Sequence, residues 1–597
     1  MGPPTGASII AHALHDLGVQ VIFGIVGIPV VEIAEEAINL GIRFLAFRNE
    51  QAASYAASAY GYITGQPGVC LVVGGPGVLH AMAGIGNSSA NAWPLLLLAG
   101  SSETDQVTKG AFQELDAIAL LAPHTKLAVR PPSLESIPEC IRSAHRNAWY
   151  GRPGTGFVDL PADLIQGVVE STDGVKAAQQ LAPPPNARAD EDLVAAAVKL
   201  LQNAKAPLVV IGKGAAYAQA EGVIREFIDT TGIHFLPTPM GKGVVPDSHP
   251  LNTASARSTA LAHADVVLVL GARLNWILHF GEPPKWNPAA RFIQVDISAE
   301  EIGRNTSSTS LGLVGDLKQV TAQLLRHIRP FRYDPSSSPY ASLLSASRTK
   351  NETTAARVAA NDAIPMTLSH ALTTIKNTLH SLSPPSAGAT VYVSEGANTM
   401  DTSRSIFPVE QPRLRLDAGT HATMGVGLGY AIAAHAAYNP PSSSSSPSST
   451  NSPHKKIIAI EGDSAFGFSG LELETMARAR MDILIFVLNN SGVYHGEDAA
   501  SADEWAAKQA HAAGPEALRS TSLGWEVRYE KLAEMCGGVG FFVREPAELE
   551  DAVRKAWLVR DRPVVVNVVV EKGKGGKLEF GWQGKGKKKE GKEEAKL

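Results

Sequence analysis

The segment richest in chemistry runs from Lys456 to Tyr494: KIIAIEGDSAFGFSGLELETMARARMDILIFVLNNSGVY. An apolar run ends at Gly462-Asp463-Ser464, a stretch of helical period follows, and a second apolar run ends at Asn489-Asn490-Ser491-Gly492. If both runs are parallel strands joined by a right-handed crossover, Asp463 and Asn490, 27 positions apart, lie at the carboxyl ends of strands in one sheet. A carboxylate, an amide oxygen and a backbone carbonyl form a hard-oxygen site. Such a set suits Mg²⁺, which keeps its remaining coordination for diphosphate oxygens and water. Gly462 lets the backbone approach a phosphate, and the helix opening near Ser464 supplies free N–H groups. Singly, GD and NN are ordinary turn residues after strands; their placement around one helix is what points to a shared ion.

A second segment, LDAGTHATMGVGLGYAIAA, puts Gly425, Gly427 and Gly429 at a loop entering a helix, with Met424 as a compliant apolar buttress or a core side chain. Its GVGLG lacks the GxGxxG spacing of a dinucleotide fingerprint. A third, FRNEQAASYAASAYGYITGQPGVCLVVGGPG, places Glu50 before an Ala-rich helix, where a carboxylate also complements the macrodipole.

The elements that must hold these residues repeat along the chain. Short apolar runs end in glycine-rich turns and lead into segments of helical period, the pattern of strand–loop–helix units and parallel α/β sheets. VIFGIVG, GVCLVVGGPG, WPLLLLAGS and GTGFVDLP come first; PLVVIGKGA, ADVVLVLGARL and RFIQVDIS follow a break at Pro183–Pro185; ATVYVSEGA, KKIIAIEGD, MDILIFVLNN and RPVVVNVVV follow a Ser-rich stretch. The division expected for 597 residues is 1–172, 190–331 and 363–571, with a tail over 572–597. Residues 440–453 hold eight Ser and four Pro and read as an inserted surface loop.

Composition excludes several classes. With 44% hydrophobic and 19% charged residues the chain has material for packed cores, and a formal charge of −5 gives no reason to expect nucleic-acid binding. No apolar stretch approaches the roughly 20 residues of a membrane span, and no secretion signal is visible at the start. Cys70, Cys140 and Cys536 lie in no CxxC pair, which excludes a disulfide framework or structural zinc. The charge is uneven: the tail carries nine Lys and four Glu, net +5, against −10 in residues 1–571. The tail ends in Ala595-Lys596-Leu597, a variant of the S-K-L peroxisomal address, so a peroxisomal location and an import receptor as partner are expected.

The GDS…NN segment resembles the magnesium–diphosphate motif of thiamine diphosphate enzymes, and the resemblance extends over nearly the whole chain. It implies an α/β protein of three doubly wound parallel-sheet domains: pyrimidine-binding, central nucleotide-binding and diphosphate-binding. It also implies that Asp463, Asn490 and the Gly492 carbonyl hold Mg²⁺. Glu50 would pair with the aminopyrimidine ring and favour the tautomer whose nitrogen removes the thiazolium proton. Met424 would support the bent cofactor, with Gly425, Gly462 and Ser464 beside it.

Within that superfamily, SEGANTMD, TMGVGLG, EGDSAFGFSG, NNSGVY, FGIVGIPV and GAFQE are most similar to 2-hydroxyacyl-CoA lyases, then to oxalyl-CoA decarboxylases. The lyase resemblance implies cleavage of a 2-hydroxyacyl-CoA to an aldehyde and formyl-CoA, with Gln113 a polar contact at the reacting centre. Arg152, Lys213, Arg273 and Asp296 correspond to residues that hold ADP or the adenosine part of CoA. A homodimer or homotetramer is implied, because such cofactors lie between two subunits. His421 and Ala422 depart from the TFGTMGV common in this branch; His421 reads as a packed or solvated histidine, with a proton shuttle as the alternative. The cofactor motifs alone leave lyase, decarboxylase and an acetolactate-synthase-like transferase open.

Overall fold

The computed structural model describes residues 3–169, 175–305, 311–441 and 454–572. The Ser/Pro stretch from 442 to 453 and the tail from 573 onward, with its terminal tripeptide, lie outside the described residues.

The apolar runs become the interiors of three parallel sheets. The first contains β1 (Val21–Gly24), β2 (Arg43–Ala46), β3 (Gly68–Val72), β4 (Leu95–Ser101), β5 (Leu127–Val129) and β6 (Thr155–Pro161), in the order β2-β1-β3-β4-β6-β5. The second contains β7 (Pro207–Ile211), β8 (His234–Pro237), β9 (Val266–Leu270), β10 (Arg291–Asp296) and β11 (Gly312–Val314), in the order β11-β10-β9-β7-β8. The third contains β12 (Thr390–Ser394), β13 (Arg415–Asp417), β14 (Lys456–Gly462), β15 (Leu484–Asn489), β16 (Val539–Val543) and β17 (Val564–Val569), in the order β13-β12-β14-β15-β17-β16. Helices cover both faces of such sheets, so their central strands are buried on both sides and need near-continuous apolar sequence. Accordingly β3, β4, β6, β7, β9, β14, β15 and β17 are buried throughout.

The first and third sheets are joined through helices. The Glu50 helix (Glu50–Thr64) packs on the His80 helix (Pro76–Asn91) and on the Gly427 helix (Gly427–Tyr438). The last contact is close: a Cβ on Gly429 would lie 2.8 Å from the Ala52 carbonyl oxygen. Asn87 Nδ2 donates to the buried Tyr430 hydroxyl at 2.7 Å across the same seam. The middle sheet is tied in by Lys213, whose amine donates to Asn91 Oδ1 at 2.5 Å and to Thr420 Oγ1 at 3.0 Å, one partner from each neighbouring domain. No helix among the described residues is long and apolar enough to cross a membrane, and the three cysteines are free.

Candidate active site

Strand register brings the GD and NN motifs together. Gly462 pairs with Leu488 across β14 and β15, so Asp463 and Asn490 follow adjacent strand ends. The expected helical segment between them is two short helices, Asp463–Phe466 and Glu472–Arg478. Asp463 is buried; its Oδ1 accepts the Ser464 N–H at 2.9 Å and its Oδ2 accepts the Gly492 N–H at 3.1 Å. Burial pushes this carboxyl up to about 7. An ionised carboxylate held there wants a cation. Asn490 Nδ2 donates to the Tyr494 carbonyl at 3.1 Å, which leaves Oδ1 as the acceptor end of the amide. The turn is tight: Ser491 and Tyr494 have φ of 61° and 57°, and a Cβ on Gly492 would lie 2.6 Å from the Thr521 carbonyl oxygen. At Gly462, by contrast, an added Cβ would make only ordinary contact, with Thr399 Oγ1 at 3.5 Å, so close packing does not require glycine there. Among the described residues no group of three or more His, Cys, Asp or Glu side chains is arranged for a metal. The donors that fit Mg²⁺ are therefore the mixed set of one carboxylate, one amide oxygen and backbone carbonyl groups.

Behind this end lies a feature that the motif reading missed. Ser394 pairs with Ile460, so the next residues, Glu395 and Glu461, are neighbours, and both are fully buried. Glu395 accepts the N–H groups of Gly425 and Gly427, the latter at 2.5 Å. Among the described residues, neither Glu461 oxygen has a donor other than the Glu395 carboxyl. Burial pushes both carboxyls up, and a proton held between them satisfies the pair. The sequence signal was an acid ending each of two apolar strands, in VYVSE and IIAIE.

The three glycines after Met424 divide by role. Gly425, at φ 88°, is a left-handed turn beside Phe468. Gly427 clears the carboxyl pair, since a Cβ there would lie 2.0 Å from Glu461 Oε1, and Gly429 admits the Glu50 helix. Met424 itself is half-buried at the mouth of this loop.

Glu50 opens its helix behind Asn49, whose Oδ1 caps the Gln51 N–H at 2.7 Å. Glu50 Oε2 lies 3.0 Å from His80 Nδ1. Gln113 sits in a loop held by Glu114, which accepts the N–H groups of Thr108, Gly110 and Ala111. These bonds hold the Glu114 carboxyl below its ordinary range. Gln113 has φ 54°, and its carbonyl oxygen would lie 2.8 Å from a Cβ on Gly75, the cap of the His80 helix. Gly75 and His80 are five residues apart, about 8 Å along a helix. Glu50 and Gln113 therefore flank one helix end.

Arg152, Lys213, Arg273 and Asp296 line a single cavity of about 750 Å³ at the junction of the three sheets, together with Trp93, Tyr217 and Thr420. Arg152 and Arg273 both approach Glu301, at 4.0 and 3.6 Å, and Arg273 Nη1 donates to the Ala90 carbonyl at 2.8 Å. Asp296 ends β10, accepts the Ser298 N–H at 2.9 Å, and is pushed up by burial. Lys213 differs from a free phosphate-binding cation: its amine is already bonded to Asn91 and Thr420, and burial lowers it to about 7. His421 is exposed and lines an adjoining cavity of about 530 Å³ shared by Arg152 and Arg273.

Comparison with known proteins agrees with this geometry. The chain matches the thiamine pyrophosphate enzyme N-terminal TPP binding domain over residues 4–120, the central domain over 194–324 and the C-terminal TPP binding domain over 395–568. It is 44% identical to 2-hydroxyacyl-CoA lyase 1 of Homo sapiens over 95% of this chain and 94% of that protein. It is 40% identical to 2-hydroxyacyl-CoA lyase of Saccharomyces cerevisiae, over 97% and 99%. To oxalyl-CoA decarboxylase of Escherichia coli it is 36% identical, over 95% of each. With three parallel sheets, a GD…NN strand-end pair and Glu50 at a helix start, the chain belongs to the thiamine pyrophosphate-dependent enzymes, in the branch of the 2-hydroxyacyl-CoA lyases and oxalyl-CoA decarboxylases.

Proposed function

We propose that the protein is a thiamine diphosphate- and Mg²⁺-dependent carbon–carbon lyase that cleaves a 2-hydroxyacyl-CoA to an aldehyde and formyl-CoA. The observation that carries this reading is the Asp463–Asn490–Gly492 turn at adjacent strand ends of the third sheet, in a chain that also carries Glu50 and Gln113 about the His80 helix and whose lyase relatives match along nearly their full length. When bound, thiamine diphosphate supplies a carbon nucleophile and a sink for the electron pair left by the broken bond. Asp463, Asn490 and the Gly492 carbonyl would hold the cation, and the strand end at Gly462 and Ser464 would lie beside the diphosphate. Met424 and Gly425 support the ring system. Glu50 holds a proton at the aminopyrimidine nitrogen, and Gln113 offers an amide to the substrate's oxygen atoms.

The large cavity takes ADP or the adenosine part of CoA, with Arg152 and Arg273 facing phosphate and Asp296 facing ribose. A second copy completes the site. Support comes from exposed apolar side chains at both ends: Ile28 and Phe112, 68% and 70% exposed, on the Glu50 side, and Phe468, 58% exposed, beside Gly425. Ala595-Lys596-Leu597 addresses the enzyme to the peroxisome.

The test is incubation of purified protein with 2-hydroxyacyl-CoA substrates of several lengths, thiamine diphosphate and Mg²⁺, with oxalyl-CoA in parallel. Aldehyde and formyl-CoA are expected. Turnover of oxalyl-CoA alone would assign the decarboxylase instead, and a bound yellow flavin with pyruvate turnover would assign a synthase. For the address, deletion of the last three residues from a fluorescent fusion should abolish a punctate pattern.

A further inference from the structure

The loop that presents Glu50 is gripped from the diphosphate domain. Glu472, the first residue of the helix Glu472–Arg478, is 1% exposed, and its carboxylate oxygens accept the Arg48 N–H at 3.1 and 3.3 Å. The Asn49 N–H points to the same carboxylate. One turn further on, the Thr475 hydroxyl lies 2.7 Å from Glu472 Oε2 and 3.4 Å from the Ala46 carbonyl oxygen. Arg478 Nη2 donates to that same carbonyl at 2.6 Å. A single helix thus holds residues 46 to 49 across a domain boundary, and the next residue is Glu50. Burial pushes the Glu472 carboxyl up to about 7, an electrostatic penalty that an apolar side chain at a mere packing position would avoid.

We propose that Glu472 is a positioning residue for Glu50: by fixing the N–H groups of Arg48 and Asn49 it sets the start of the Glu50 helix and hence the place of the Glu50 carboxylate. The inference rests on the reading of Glu50 given above. Asp463 and Glu472 belong to one short stretch of chain, so one segment both holds the cation and orients the chain's own Glu50.

The experiment compares wild type, Glu472→Ala, Glu472→Gln and Glu50→Gln by three readouts. These are amide hydrogen exchange of the 46–52 backbone in cofactor-free protein, thiamine diphosphate affinity by tryptophan fluorescence, and the rate of hydrogen exchange at the thiazolium carbon in the loaded enzyme. In Glu472→Ala the 46–52 amides should lose protection and thiazolium exchange should slow by about 10- to 100-fold, the cost of misplacing a catalytic group by about 1 Å, while cofactor affinity is kept. Glu472→Gln retains a carbonyl oxygen for the two N–H groups and an amide for Thr475, so it should restore both exchange rates. Unchanged thiazolium exchange in Glu472→Ala beside slowed exchange in Glu50→Gln would overturn the Glu472 assignment. Unchanged exchange in Glu50→Gln would overturn the reading of Glu50 itself. If Glu472→Ala does not fold, Arg478→Met removes an exposed arm of the same grip: slowed exchange at full cofactor affinity supports the assignment, and wild-type exchange refutes it.

Discussion

Replacing Glu472 by Gln should change the pH dependence of stability in a defined direction. The carboxyl is raised from its ordinary 4.5 to about 7 because it is taken out of water, with the bonds from Thr475, Arg48 and Asn49 offsetting only part of the burial. The folded state therefore holds its proton more tightly than the unfolded state. Stability from this group is fully present below pH 4.5 and is lost as pH rises to about 7, where the folded protein must also ionise it. Moving the pKa from 4.5 to about 7 corresponds to about 3 kcal/mol. Glutamine keeps the acceptor and has no charge to desolvate. Urea denaturation of cofactor-free protein should then find Glu472→Gln more stable than wild type by up to about 3 kcal/mol near pH 8, with the gap closing toward pH 4.5. Parallel stability profiles for the two proteins across this range, or a variant less stable than wild type at the alkaline end, would refute the reasoning.

Three further outcomes are expected. Gly427→Ala drives a methyl to 2.0 Å from Glu461 Oε1 and 2.8 Å from Glu395 Oε2; it should lower stability by about 1–3 kcal/mol and weaken thiamine diphosphate binding, both read by thermal shift with and without cofactor. Glu50→Gln should keep cofactor affinity while turnover falls about 10²- to 10⁴-fold, and unaltered turnover would remove Glu50 from the chemistry. Arg273→Ala should weaken ADP binding by about 1.5–3 kcal/mol, measured calorimetrically, with no change in Mg²⁺ affinity, since Asp463 does not line the cavities that Arg273 lines.

The interior of each sheet and the two motifs at strand ends are legible in the local sequence. The apolar runs correspond to β1, β3, β4, β6, β7, β9, β10, β12, β14, β15 and β17. The strands with no such signal, β2, β5, β8, β11, β13 and β16, are the six sheet edges. The reason is physical: a central strand buried on both faces needs a continuous apolar run, whereas an edge strand such as β5, half-buried along its length, tolerates mixed residues and leaves no local pattern. The GD and NN motifs were legible for a similar reason, because turns after strands restrict residue type within a few positions. Contacts between residues far apart in sequence are set by the tertiary structure instead. Glu472 meets Arg48 across 424 positions, Lys213 finds Asn91 and Thr420 instead of open solvent, and Glu395 meets Glu461 because two strands share a register. Such pairings follow from strand register and from how three sheets pack against one another, and no periodicity within any one segment encodes them.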